Sequence, residues 1–175
     1  MTVMTESLER TIAELKARQD IQDVLVRYCR GADLGDAAIM QSCYHVDAID
    51  DHGFFNGPAA EFVKGAATNL STMFQSTRHY MTNEYVELDG NAAKSECFIL
   101  CIMRMARDGK TFDVSVRSRY LDRFERRDGV WKIAHRTLVS DGTRIDEVVE
   151  QFPRLDQGAP GGRGASDPSS AFFKP

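Results

Sequence analysis

The residues best suited to proton transfer are few, because the 175-residue chain contains only four histidines. One of them, His79, lies in the segment STRHYMTNEYVEL, and an imidazole can accept a proton near neutral pH and return it. A carboxylate beside one ring nitrogen fixes the tautomer of such a base and stabilises its imidazolium form. A neighbouring phenol can donate a hydrogen bond to an oxygen that gains negative charge.

Asp33 and Tyr28 are the candidates for this carboxylate and this phenol. Apolar residues at steps of three, four and seven predict a helix from Ser7 to Ala32, with Ser7 as its N-cap. Tyr28 falls on the apolar face of that helix and Asp33 just after its end. If the helix packs on the strand that carries His79, the three side chains converge at the mouth of a cavity. The alternative is structural, with Asp33 capping a turn, Tyr28 filling the core and His79 half-buried.

Three further residues are candidates for contacts with a bound molecule: His52, Asn83 and His135. His52 follows two aspartates in the segment DDHG, which suits a pocket-lining residue, a second acid or base, or a metal ligand. No spacing such as HxxxH supports a metal site, so none is predicted. Strand alternation places Asn83 on the same face as His79. His135 shares a face with Trp131, as a core histidine or as a polar group at the cavity floor.

Three Asp-Gly pairs, each a strong hairpin-turn signal, divide the second half of the chain into strands. The expected turns are Asp89-Gly90, Asp108-Gly109 and Asp128-Gly129. Four strands joined by such turns form an antiparallel meander. Their predicted ranges are Thr77–Leu88, Asn91–Ala106, Thr111–Arg127 and Val130–Ser140.

The first half of the chain adds helices to this sheet. Asp36 is the expected N-cap of a short second helix, and Gly57-Pro58 opens a third, with the proline in its first turn. Between them, Val46–Phe55 is predicted to be a strand with an irregular middle. The fold class is therefore α+β, with three N-terminal helices covering one face of a curved, mixed or antiparallel sheet. Such a sheet leaves a cone-shaped cavity that suits a small apolar ligand.

Two surface features complete the predicted organisation. Arginines crowd the last two strands and predict a solvated outer face of the sheet, with substrate or partner pairing as the alternative: Arg117, Arg119, Arg123, Arg126, Arg127 and Arg136. The last twenty residues are rich in Gly, Pro and Ser and predict an extended or disordered arm. Phe172 and Phe173 could dock this arm on its own domain or on a partner subunit. We therefore expect one domain over residues 1–145 and a C-terminal extension over residues 146–175.

Composition excludes several classes of protein. With 22 basic and 26 acidic residues the net charge is −4, which argues against a nucleic-acid partner. The sequence contains no run of 18 apolar residues, so no membrane span is predicted. The charged N-terminus lacks the apolar core of a signal peptide. The four cysteines form no CxxC pair and are expected to be reduced core residues, with metal binding or a disulfide as the alternative: Cys29, Cys43, Cys97 and Cys101. A cytoplasmic location fits these features.

Four segments resemble the SnoaL-like branch of the nuclear transport factor 2-like superfamily, over residues 7–145: IQDVLVRYCRGADLGD, DAIDDHGFFNGP, STRHYMTNEYVEL and RYLDRFERRDGVWKIAHR. The specific part is Tyr-x4-Asp at the end of the first helix with a His on a later strand. In the bile-acid dehydratases of this branch such a Tyr, Asp and His are catalytic, and Tyr28, Asp33 and His79 occupy the matching positions. Asp33 and His79 also match the Asp–His dyad of hexachlorocyclohexane dehydrochlorinase. Scytalone dehydratase is a more distant resemblance, with His79 matching its strand histidine and His135 a looser match.

The resemblance implies a cone-shaped α+β barrel that assembles as a homodimer or homotrimer and uses no cofactor or metal. The predicted function is that of a cofactor-independent lyase or isomerase, resembling a dehydratase, that acts on a hydrophobic polycyclic or aromatic small molecule. In that reading Tyr28, Asp33 and His79 are catalytic, while His52, Asn83 and His135 bind substrate. Two alternatives stay open at this point: a small-molecule binding module without catalysis, and the small subunit of a ring-hydroxylating dioxygenase.

Overall fold

A computed structural model describes residues 2–150 and 158–173, with side chains from residue 5 onward. Its helices are α1 (Thr2–Leu34), α2 (Ala37–Ser42), α3 (Ala59–Met73) and α4 (Pro168–Phe172). Its strands are β1 (Tyr44–Asp51), β2 (Asn56–Pro58), β3 (Ser76–Asp89), β4 (Ala92–Arg107), β5 (Lys110–Arg127) and β6 (Val130–Glu147). None of the described helices has both the length and the apolarity needed to cross a membrane.

Helix α1 is longer than its sequence pattern predicts. It begins at Thr2, so the prediction of Ser7 as its N-cap is wrong, and it ends at Leu34, which places Asp33 inside the last turn. Gly35 stops the helix because it adopts a φ of +68°, a conformation that favours glycine. Gly31 lets α2 approach closely, since a Cβ there would lie 2.8 Å from the main-chain nitrogen of Met40. These two glycines therefore fix where α1 ends and how α2 crosses it.

The six strands form one mixed sheet in the order β2-β1-β6-β5-β4-β3. The meander of β3 to β6 is confirmed, and the three Asp-Gly turns connect its strands. The expected single strand Val46–Phe55 is instead β1, a turn and the antiparallel β2. β1 pairs with β6 in parallel, which makes the sheet mixed. The α+β prediction is confirmed, but β2 and β3 are edges of an open sheet, so the barrel does not close.

The N-terminal helices bury their apolar faces against the sheet. Ile21 and Leu25 of α1 and Val63 of α3 are almost inaccessible to solvent, as are Phe124 and Ile133 of the sheet. Burying side chains of this size contributes about 1.5–3 kcal/mol each, which makes this layer the main source of stability. The structure differs from the predicted α3 in one detail: Pro58 is its N-cap instead of lying in its first turn.

Arg136 is an exception to the predicted solvated arginine face, because it is completely buried. Its Nε and Nη2 donate to the two carboxylate oxygens of Asp122 at 2.7 and 2.6 Å. Its guanidinium carbon lies 3.8 Å from the ring centre of Tyr120 and 4.2 Å from that of Tyr28. The ion pair and the aromatic faces compensate for burying the guanidinium charge, which would otherwise be costly. The interior thus contains an ion pair enclosed by tyrosines.

The described part of the C-terminal arm is ordered and docks on its own chain. The Arg163 guanidinium donates to the Thr77 hydroxyl at 2.6 Å and to the Asp33 carbonyl at 3.4 Å. Asp167 accepts from Arg78 at 3.2 Å and caps α4. Residues 158–173 are thus ordered on their own domain by specific polar contacts and include the short helix α4, so the alternative of a disordered arm is wrong for them.

Phe172 and Phe173 do not anchor the arm in the core. Their side chains are 80% and 69% exposed, and the contact of Phe173 is with the guanidinium of Arg30, 5.1 Å from its ring centre. Residues 151–157, 174 and 175 of the predicted extension lie outside the described residues. The boundary at residue 145 stays a prediction.

We predict that Asp122→Ala lowers the free energy of unfolding by about 3–5 kcal/mol, because it leaves the Arg136 charge buried without its partner. Urea denaturation followed by circular dichroism measures this change. The matched control is Asp146→Ala, which removes an exposed pair with Arg144 and is expected to cost less than about 1 kcal/mol. Equal losses in the two variants would contradict the importance of the buried pair.

Candidate active site

The Asp33 carboxylate holds His79 by both its backbone and its ring. Oδ1 of Asp33 accepts a hydrogen bond from Nδ1 of His79 at 2.6 Å, and both oxygens lie 3.1 Å from the main-chain N–H of the same residue. A carboxylate only accepts, so Nδ1 carries the proton and Nε2 is the unprotonated nitrogen of the neutral ring. The His79 side chain is only 9% exposed. The last turn of α1 thereby orients an imidazole on β3.

Two opposing effects act on the pKa of His79. Burial lowers it, because the charged form loses its hydration, but the hydrogen bonds to Asp33 and to Cys101 outweigh burial. The pKa of His79 is raised as a result from 6.5 to about 9. Cys101 is the residue opposite His79 on β4. His79 is therefore a strong base whose neutral form predominates only in alkaline solution.

His79 also borders a cavity of about 630 Å³ between the sheet and the helices. Most of its lining is apolar, including Met40, Phe55, Phe62, Leu70, Ile99 and Leu138. The volume lies within the range of about 300–1,000 Å³ typical of small-molecule sites. Tyr28 and His52 line the same cavity, whereas Asp33 lies behind His79 and borders a smaller groove. An imidazole, a phenol and a second imidazole therefore face one apolar space.

Tyr28 lies between two other tyrosine rings. Its ring centre is 5.7 Å from that of Tyr44 and 5.9 Å from that of Tyr120, both edge to face. Burial raises the pKa of Tyr28, and the nearby Arg136 charge lowers it by less. The phenol consequently keeps its proton and can act only as a hydrogen-bond donor or neutral acceptor.

Asn83 and His135 lie outside this cavity, contrary to expectation, and β-bulges explain both differences. Asn83 and its successor together oppose one residue of β4, and Asn83 adopts a φ of 51° and is exposed. An extra residue at Ala134 likewise interrupts the pairing of β6 with β5. Each bulge reverses the alternation of side chains beyond it. His135 therefore borders an outer groove with Arg123, instead of sharing the buried face of Trp131.

His52 does line the cavity, at the turn between β1 and β2. Its Nδ1 bonds Oδ1 of Asp50, and its ring stacks on Phe62 with the ring centres 3.9 Å apart. Within the described ranges, no group of three or more His, Cys, Asp or Glu side chains is placed to hold a metal ion. The environment of His52 is thus a carboxylate on one side and an apolar cavity on the other.

Sequence reasoning missed two residues of this region. Cys101 was expected to fill the core and was not linked to His79, although it contacts the His79 ring. Arg136 was grouped with surface arginines, although it lies against Tyr28. Pairing from the hairpin turn brings this part of β4 beside His79, but the bulge after Thr82 decides that Cys101 is the residue opposite it. A buried arginine within a run of exposed ones leaves no clear signal in the sequence.

The chain belongs to the SnoaL-like domain family, whose model matches residues 13–137. It is 30% identical over 127 residues to hexachlorocyclohexane dehydrochlorinase 1 of Sphingobium indicum, an alignment that covers 69% of this chain and 79% of that protein.

Solved structures share the fold at lower identity. A type 2 hexachlorocyclohexane dehydrochlorinase superposes with a TM-score of 0.71 at 23% identity, covering 81% of this chain and 96% of the other. A protein of Novosphingobium aromaticivorans assigned as a scytalone dehydratase gives 0.70 at 20% identity, covering 79% and 93%. These likenesses establish the nuclear transport factor 2-like fold.

We predict that Asp33→Asn lowers the pKa of His79 from about 9 to 6.5 or below, because the amide removes the negative charge while burial persists. A pH titration of the His79 ring signals by NMR measures it. Asp36→Asn is the matched control, since Asp36 caps α2 and does not contact His79. An unchanged His79 pKa in Asp33→Asn would contradict the assigned coupling.

Proposed function

We propose that this protein is a cofactor-independent lyase that eliminates a small leaving group from a hydrophobic, polycyclic or aromatic molecule. The observation that carries the proposal is the imidazole of His79, which Asp33 orients in the wall of a largely apolar cavity. Isomerisation needs the same proton abstraction and is the closest related reaction. Dehydration is the favoured outcome.

In this mechanism Nε2 of His79 removes a proton from a carbon next to an electron-withdrawing group. Asp33 keeps Nδ1 protonated and stabilises the imidazolium that forms. The Tyr28 hydroxyl donates a hydrogen bond to the oxygen that gains negative charge, and the low polarity of the cavity strengthens this interaction. Apolar walls bind the substrate and exclude water from the reacting carbon.

The family relationship supports elimination chemistry. The relative from Sphingobium indicum is named for removing hydrogen chloride from hexachlorocyclohexane, a small apolar ring. A base in an apolar pocket is what such an elimination requires. Assembly as a homodimer or homotrimer stays a prediction, as does the hydrophobic ligand itself.

We predict that His79→Gln lowers the kcat for a β-hydroxy-β-phenyl ketone at least about 100-fold, the usual contribution of a general base. Loss of water gives a conjugated enone, whose ultraviolet absorbance reports turnover. His135→Gln is the matched control, because His135 lies outside the cavity, and its kcat is expected to match that of the native chain. Tight binding of the enone without any turnover would instead favour a binding module.

The pH dependence follows from the raised pKa of His79. Only neutral His79 is a base, so kcat/KM is expected to rise about tenfold per pH unit below pH 9 and to level off above it. The β-chloro analogue of the ketone is the suitable probe, because chloride leaves without a proton. In Asp33→Asn the plateau begins at lower pH. A pH-independent rate would contradict His79 as the base.

A further inference from the structure

The cavity contains a second Asp–His pair, formed by Asp50 and His52. Oδ1 of Asp50 bonds Nδ1 of His52, and Oδ2 accepts a hydrogen bond of 2.6 Å from the Tyr44 hydroxyl. Asp50 is completely buried, and Tyr44 nearly so. Burial raises the pKa of Tyr44 well above 10, so this phenol stays protonated and donates. Both carboxylate oxygens are thus occupied by donors, and in the part of the chain that the structure describes Nε2 of His52 has no hydrogen-bond partner.

The turn that carries His52 does not need this pair for its shape. The His52 N–H donates to the Phe55 carbonyl at 2.8 Å, and the Asp51 carboxylate accepts from the Gly53 N–H at 2.9 Å and from the Asn56 amide at 3.1 Å. These bonds close the turn between β1 and β2 by themselves. Burying Asp50 is costly unless it is paired, and the partner that it orients is a cavity residue. The arrangement points to a role in the cavity.

The two Asp–His pairs lie on opposite edges of the sheet. His79 is on β3, one edge strand, whereas His52 precedes β2, the other edge strand. Both line the same cavity, so a bound molecule meets one imidazole from each edge. Elimination needs two proton transfers when the leaving group is hydroxide, one from carbon and one to oxygen. A pair of imidazoles can divide these tasks, since one acts as base and the other as acid.

We propose that His52, oriented by Asp50 and Tyr44, is the general acid that protonates the leaving oxygen, which makes an alcohol the substrate class. This inference rests on the proposed function. Nε2 of His79 takes the proton as the C–H bond breaks, the C–H electrons form the C=C bond, and the C–O electrons leave with oxygen. The imidazolium of His52 supplies the proton that turns the leaving hydroxide into water. Transfer of a proton from His79 to His52 through solvent then resets the site.

Two probes that share one product separate this role from binding: the β-hydroxy-β-phenyl ketone and its β-chloro analogue. Hydroxide needs a proton to leave and chloride does not. His52→Gln is therefore expected to lower kcat about 100-fold or more for the hydroxy probe and less than about threefold for the chloro probe. His79→Gln is expected to lower both, and His135→Gln neither.

Tyr44→Phe provides a second variant, because it removes the hydroxyl that donates to Asp50 and keeps the aromatic ring. It is expected to show the same preference for the chloro probe with a smaller loss, and circular dichroism checks that both variants fold. Equal losses on the two probes in His52→Gln, or no loss on either, would overturn the general-acid role and leave the proposed function intact. Failure of the native chain to convert either probe would overturn the proposed function and this inference with it.

Discussion

The contact on which the rest of the site depends is the bond between the Asp33 carboxylate and His79. The same two oxygens hold the main-chain N–H of an edge strand and the ring nitrogen of its side chain. The position of the base is therefore set by the end of α1. Gly35 determines that end through its positive φ, and Gly31 lets α2 lie against the same turn. The same carboxylate thus holds the edge strand to α1 and orients the His79 imidazole.

The buried Arg136 supports the cavity from the other side. Its charge is paired with Asp122, and the rings of Tyr28 and Tyr120 that enclose it also belong to the cavity wall. Cation–π contacts of this kind contribute about 2 kcal/mol or more when desolvated, so they restrict the motion of both rings. The Tyr28 ring is thereby held in the cavity wall against the buried ion pair. A purely apolar core would pack these rings without that constraint.

Local sequence patterns predicted the positions of the helices and strands well, but they predicted poorly which residues pair between neighbouring strands. The Asp-Gly turns correctly located four strands, and Asp36 correctly marked the start of α2. Starting from the pair Asp89 and Ala92, uninterrupted pairing would place Ile102 opposite His79, but the bulge after Thr82 shifts the partner to Cys101. The bulge at Ala134 likewise moves His135 to the outer face. Bulges depend on packing across the whole sheet, so no local sequence pattern predicts them.

The open sheet lets imidazoles from its two edges border one cavity, His79 on β3 and His52 just before β2. If β2 paired with β3 the barrel would close, and the edges that carry His52 and His79 would be joined by backbone hydrogen bonds. An open edge is normally a liability, because its unpaired N–H and C=O groups invite association. Here the docked arm contacts the first residues of β3 through Arg163 and Asp167, and the Asp33 carboxylate occupies the His79 N–H. The groups that cover this edge thus include the carboxylate that orients the His79 imidazole.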